Sequence, residues 1–89
     1  MNILIGDIGN TVTKICLTEI KRSRIKKIIY FDSNNITSEK ALKKNLRKII
    51  KNELVNKVAL FSSVVPKYQF KLQKFLKKAY KIKLREIKE

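Results

Sequence analysis

Apolar residues change their spacing twice along the chain. Asn2 to Gly6 (Asn-Ile-Leu-Ile-Gly) is a short apolar run closed by a glycine, the pattern of a buried strand. Asp7-Ile8-Gly9-Asn10-Thr11 follows with turn chemistry, since Gly and Asn tolerate positive φ. Val12 to Ile20 is rich in Val, Ile, Thr and Leu and reads as a second strand. The link between the two is too short for a crossover, so they predict an antiparallel hairpin. Lys21-Arg22-Ser23-Arg24 is a polar turn, and Ile25 to Phe31 is a third strand closing at Asp32-Ser33-Asn34-Asn35. The first third of the chain is therefore a three-stranded meander.

From Ser38 to Leu54 the period lengthens. Leu42, Leu46, Ile49 and Ile50 form one helical stripe, and Lys40, Lys43, Lys44, Arg47, Lys48 and Lys51 fill the other faces. Thr37 or Ser38 is placed to cap this helix. Val58 to Phe61 is continuously apolar, as in a strand covered on both faces. Ser62-Ser63-Val64-Val65-Pro66 reads as a loop, with Pro66 suited to the first turn of a second helix. Tyr68, Leu72, Phe75, Leu76 and Ala79 form that helix's apolar stripe, and Ile82 to Ile87 alternates like a charged edge strand. The order is β-β-β-α-β-α-β, an α/β chain. Right-handed crossovers give a mixed five-stranded sheet of order 3-2-1-4-5, with strands 1, 4 and 5 parallel and strand 2 antiparallel. No linker, low-complexity segment or internal repeat interrupts it.

Composition narrows the chemistry. The 89 residues suit one domain, and 44% hydrophobic content is enough for it to fold. There is no His and one Cys, which excludes a disulfide framework, Ser-His-Asp or Cys-His catalysis, and a zinc site built on those ligands. Cys16 reads as a small buried hydrophobe. Tyr30, Phe31, Phe61, Phe70, Phe75 and Tyr80 are scattered through strands and helices and read mostly as core rather than as stacking platforms for bases. No secretory leader or apolar run long enough to span a bilayer is visible, so a reduced cytoplasmic setting without a membrane partner is expected. The formal net charge is +15, but Ile, Lys and Asn make up 38 of the 89 residues and 18 of the 22 basic residues are Lys. AT-rich coding accounts for that composition. Nucleic-acid readers favour the bidentate fork of Arg, so nucleic acid is not the expected partner.

The segment that carries chemistry is Asp7-Ile8-Gly9-Asn10-Thr11, continuing through Val12 and Thr13 to Lys14. An Asp after a buried strand can orient water around magnesium beside nucleotide phosphates. Gly9 lets backbone approach a phosphate, turn N–H groups with Asn10 and Thr11 can donate to its oxygens, and Lys14 adds positive charge. Positioning and electrostatic stabilisation are what phosphoryl transfer requires. The spacing is not a Walker A loop. The same residue types also make an ordinary hairpin turn. Ser62 and Ser63 are open between lining a cleft and capping the second helix. Asp32, at a strand end, reads as a turn or cap residue.

The order of elements matches one lobe of a ribonuclease H-like, actin-like ATPase domain. Asp7 to Thr11 with Lys14, together with Ser62 to Pro66 after the fourth strand, resembles the recurrent segments of type III pantothenate kinase. The resemblance spans essentially the whole chain but only the N-terminal part of that family's length. It implies ATP-dependent phosphorylation of pantothenate, the first step of coenzyme A synthesis. Asp7, Ile8, Gly9, Asn10, Thr11, Val12, Thr13 and Lys14 would bind ATP, Asp7 would hold Mg2+ through water, and Ser62 and Ser63 would line the cleft. A monovalent cation (K+ or NH4+) and a homodimer are further implications. The pantothenate-binding Gly-x-Asp-Arg segment, the base and the second domain are expected beyond Glu89. Residues 1–89 thus read as a single N-terminal lobe, inactive alone, requiring a complementary chain or full-length form. A kinase-related regulatory or DNA-binding accessory role and a folded remnant are the alternatives.

Overall fold

A computed structural model describes residues 1–51 and 53–87. The elements are β1 (Asn2–Ile8), β2 (Val12–Glu19), β3 (Arg24–Asp32), α1 (Glu39–Ile50), β4 (Val58–Ser63), α2 (Pro66–Tyr80) and β5 (Lys83–Glu86). They form a five-stranded sheet of order β3-β2-β1-β4-β5. β2 is antiparallel to β1 and β3, while β1, β4 and β5 are parallel, as the hydrophobic pattern predicts.

The differences lie at element ends. β1 continues through Asp7 and Ile8, and β4 through Ser62 and Ser63, because the two strands pair in parallel there: Asp7 opposite Ser62, Ile8 opposite Ser63. Ser62 and Ser63 thus belong to a strand rather than a loop. A short 3-10 turn, Ser33–Thr37, follows β3 where the sequence suggested only a turn. The Asp32 side chain accepts from Asn34 N–H at 3.1 Å, so this residue is a cap. Ser38 caps α1 by accepting from Ala41 N–H at 3.2 Å. α1 ends at Ile50, four residues short of Leu54; Asn52 lies outside the described residues.

Both helices cover the same face of the sheet. Leu42, Leu46 and Ile49 of α1 and Leu72, Phe75 and Leu76 of α2 pack with Leu4, Ile8, Ile15, Leu17, Phe31, Ala59, Phe61 and Leu84. Side chains alternate across a pleated strand, so the intervening residues project from the other face. One row there crosses four strands: Tyr30, Lys14, Asp7 and Ser62. The next row is Ile28, Cys16, Ile5 and Leu60. β4 is thus not buried on both faces, since Leu60 is only half-buried while Phe61 is fully enclosed. Phe31, Phe61 and Phe75 are core residues as expected, but Tyr30 and Phe70 are 63% and 59% exposed. Tyr30 lies on the open face, where no helix covers it. Cys16 is buried, as expected.

Gly6 lets β4 pack. A Cβ built there would collide with the Phe61 ring, which is fully buried on the helix-covered face. No described helix is long and apolar enough to cross a membrane.

Candidate functional site

β1 and β2 deliver the candidate residues Asp7 to Lys14 to one end of the sheet. Asp7 and Lys14 are cross-strand neighbours, and Gly9 to Val12 close the hairpin. Asp7, Asn10, Thr11, Val12 and Lys14 are exposed, and Gly9 is half-buried. Ile8 and Thr13 are fully buried toward the helices, so only their backbone can face a ligand.

Each charge at the site has a neutral neighbour rather than an ion-pair partner. Asp7 Oδ1 accepts a 2.9 Å hydrogen bond from the Ser62 hydroxyl. The Lys14 ammonium lies over the Tyr30 ring, 6.0 Å from its centroid. Among the described residues no ion pair engages Asp7 or Lys14. A carboxylate and an ammonium therefore stand side by side with their charge available. A shallow cavity of about 270 Å³ lies beside them, lined by Ile5, Gly6, Asp7, Lys14, Cys16, Ser62 and Ile87. A larger depression of about 690 Å³ lies by α2, floored by Ile36, Leu42 and Phe75 and rimmed by lysines. It contains no residue of the hairpin.

The turn is built differently from the sequence expectation. Neither Gly9 nor Asn10 has positive φ. Gly9 is needed because a Cβ there would sit 2.8 Å from the Val12 carbonyl oxygen, which accepts the Gly9 N–H at 3.1 Å. Among the described residues, the Asn10 and Thr11 N–H groups donate to no protein acceptor. Unpaired N–H groups on exposed residues, in the hairpin that also carries Lys14, suit an anion.

Ser63 does not cap α2. Its hydroxyl accepts from Val65 N–H and contacts Val65 O, both at 3.0 Å, while Val65, the residue before Pro66, makes no side-chain cap. Ser62 joins Asp7 on the open face. Of the two serines singled out from sequence, only Ser62 therefore meets the candidate segment, at Asp7. Ser33, which sequence reasoning passed over as a turn residue, is fully buried and donates to Gly9 O at 2.7 Å.

The donor set suits hydrated magnesium carried on phosphates better than a protein-caged ion. Asp7 offers one exposed carboxylate with one oxygen held by Ser62. No group of three or more His, Cys, Asp or Glu residues that could enclose a metal occurs among the described residues. Magnesium bound with nucleotide commonly keeps several waters and needs only one or two carboxylates.

Comparison with known proteins gives the fold and the family. Two solved structures share the fold: the activator of 2-hydroxyisocaproyl-CoA dehydratase from Clostridium difficile, with bound ADPNP, and a candidate N-acetylmannosamine kinase from Listeria monocytogenes. The first has a TM-score of 0.59 at 8% identity, over 96% of this chain and 53% of that one. The second has a TM-score of 0.61 at 13% identity, over 97% of this chain and 34% of that one. Both share the arrangement of this sheet and its two helices. A curated type III pantothenate kinase from Pelagibacter ubique is 44% identical over 88 residues, covering 98% of this chain; the chain spans 34% of that protein's length. With the family model for type III pantothenate kinase matching residues 3–89, the chain belongs to that family.

Proposed function

We propose that this chain is the ATP-phosphate-binding lobe of a type III pantothenate kinase, serving ATP-dependent phosphorylation of pantothenate at the start of coenzyme A synthesis. The observation that carries the proposal is the Asp7–Ser62–Lys14 arrangement beside the Gly9–Thr11 turn, in a chain belonging to that family. Exposed N–H groups of Asn10 and Thr11 receive phosphate oxygens, and Lys14 balances their charge. Asp7, oriented by Ser62, would hold magnesium through water. Bound magnesium would neutralise charge on the β- and γ-phosphate oxygens. The chain's own contribution is positioning: a stiff hairpin that fixes the phosphates while the acceptor approaches.

The rest of the machinery belongs to the two thirds of the family's length that this chain does not span. There we place the pantothenate pocket, the base, the monovalent-cation site and the second wall of the cleft, supplied by a longer form, a homodimer or a complementary chain. Without that wall, water is not excluded and no acceptor hydroxyl is aligned, so the 89 residues alone give no turnover above background. A chimera tests this. These residues replace the corresponding third of the Pelagibacter enzyme, and single-turnover transfer from labelled ATP to pantothenate is followed. The chimera is expected to be active and its Asp7→Ala variant to lose at least about a hundredfold, the scale for removing one electrostatic element of a reacting site. Full activity in the Asp7→Ala chimera, or rapid transfer by the 89 residues alone, would overturn the proposal.

A further inference from the structure

Ser33 opens the 3-10 turn after β3 and grips the hairpin at three points. Its backbone N–H donates to Thr11 O at 2.8 Å. Its hydroxyl donates to Gly9 O at 2.7 Å. Its Oγ also lies 2.7 Å from Thr13 Oγ1, and both hydroxyls are fully buried. Each hydroxyl carries one proton. A carbonyl can only accept, so the Ser33 proton is committed to Gly9, and Thr13 must donate to Ser33. The outcome is a directed chain from Thr13 through Ser33 to Gly9.

The hairpin's own geometry explains why a clamp is needed. Tight hairpins normally use turns with positive φ, whose twist matches the strands. No residue from Gly9 to Val12 has positive φ. Gly9 N–H reaches Val12 O, but the reciprocal bond from Val12 N–H to Gly9 O does not occur among the turn's hydrogen bonds. Gly9 O is taken by Ser33 instead, 24 positions along the chain. A trans peptide is planar, so anchoring a carbonyl fixes the following N–H in the opposite direction. Among the described residues no peptide bond is cis, so holding Gly9 O inward aims Asn10 N–H away from the core.

We infer that Ser33 is a positioning residue for phosphate recognition: by holding Gly9 O it sets the direction of the Asn10 N–H donor, and by holding Thr11 O it anchors the far side of the turn, with Thr13 locking its hydroxyl. The inference rests on the reading of this hairpin as the phosphate-binding segment. Pre-organised donors bind without first being ordered, so loss of the clamp lowers affinity even where the exposed residues are intact.

The test titrates magnesium-ATP into the 89-residue chain, following amide resonances and heat, with melting temperature measured in parallel. Ser33→Ala is expected to weaken binding about tenfold and to disorder the Asn10 and Thr11 amides. Thr13→Val, which leaves the Ser33–Gly9 bond, should weaken it about two- to threefold. Leu76→Ala, in α2 and remote from the turn, should lower the melting temperature at least as much while binding as wild type does. If wild type binds and Ser33→Ala binds equally well, the inference fails and the hairpin reading stands. If wild type shows neither heat nor shifts in the hairpin, that reading fails and takes the inference with it. Should Ser33→Ala not fold, unchanged affinity in Thr13→Val overturns the inference.

Discussion

Replacing Gly6 by alanine puts a methyl group where the Phe61 ring already lies. The new Cβ would meet ring atom Cε2, with Cδ2 at 2.5 Å and Cζ at 2.7 Å. Real carbons do not approach so closely, so something must move. Phe61 is fully buried, against a core that includes Leu4, Ala59 and Leu72, and its ring cannot swing into solvent. Gly6 is itself mid-strand, paired with Ile15 on one side and Phe61 on the other, so its backbone is held too. Overpacking of this kind costs about 1–3 kcal/mol. Removing glycine's freedom in the unfolded chain returns about 0.5–1 kcal/mol. The expected net loss is about 2 kcal/mol, near the upper end because the obstacle is an aromatic ring with no exit. For a domain of this size that lowers the melting temperature by about 10 °C. Urea and thermal unfolding followed by circular dichroism measure it. In a Phe61→Leu background the same Gly6→Ala change should cost at least about 1 kcal/mol less, the coupling expected of residues in direct contact. A neutral or stabilising Gly6→Ala, or equal costs in the two backgrounds, would refute the packing argument.

Other expectations follow from single contacts. Ser62→Ala removes the hydroxyl that holds Asp7 Oδ1 and should weaken magnesium-ATP binding about three- to tenfold in a calorimetric titration, with little change in melting temperature. Ser38→Ala removes the cap on α1 and should cost about 1 kcal/mol by urea unfolding, whereas Ser38→Gly costs only a few tenths. The hydrogen bond from Lys26, followed by the charges of Lys26 and Lys27, holds the Glu53 carboxyl below the usual carboxylate range. A depressed carboxyl contributes stability above its unfolded pKa and loses it as pH falls through the folded value. Wild type should therefore lose stability faster than Glu53→Gln as solutions are acidified below the ordinary carboxylate range, as read by melting temperature against pH.

The strand order was legible because each strand carries its own period. Leu4, Gly6 and Ile8 alternate with Ile3, Ile5 and Asp7, and the short links between the first three strands permit only a meander. The helices were legible from Leu42–Leu46–Ile49 and Leu72–Phe75–Leu76. Strand ends were not: Asp7 and Ser62 are polar, and polar residues after apolar runs look like turns until cross-strand pairing is known. Gly6 looked like a strand terminator, but its reason is a phenylalanine 55 positions further on, and no local pattern reports that contact. Ser33 was hidden for a similar cause. Serine among asparagines after a strand is ordinary turn chemistry, and only the fold brings its hydroxyl to Gly9. The candidate segment from Asp7 to Lys14 stood out as residue types at a spacing. Its pairing with Ser62, and the inward burial of Ile8 and Thr13, required the sheet.

The central claim is that the hairpin from Asp7 to Lys14 holds the phosphates of ATP. Amide resonances of the 89-residue chain, followed while magnesium-ATP is added, test it most directly. The account predicts that shifts concentrate on Gly9, Asn10, Thr11 and Lys14, and that Asp7→Ala abolishes most of the response while the fold persists. Shifts centred instead on the lysine-rimmed depression by α2, or an unchanged response in Asp7→Ala, would contradict it.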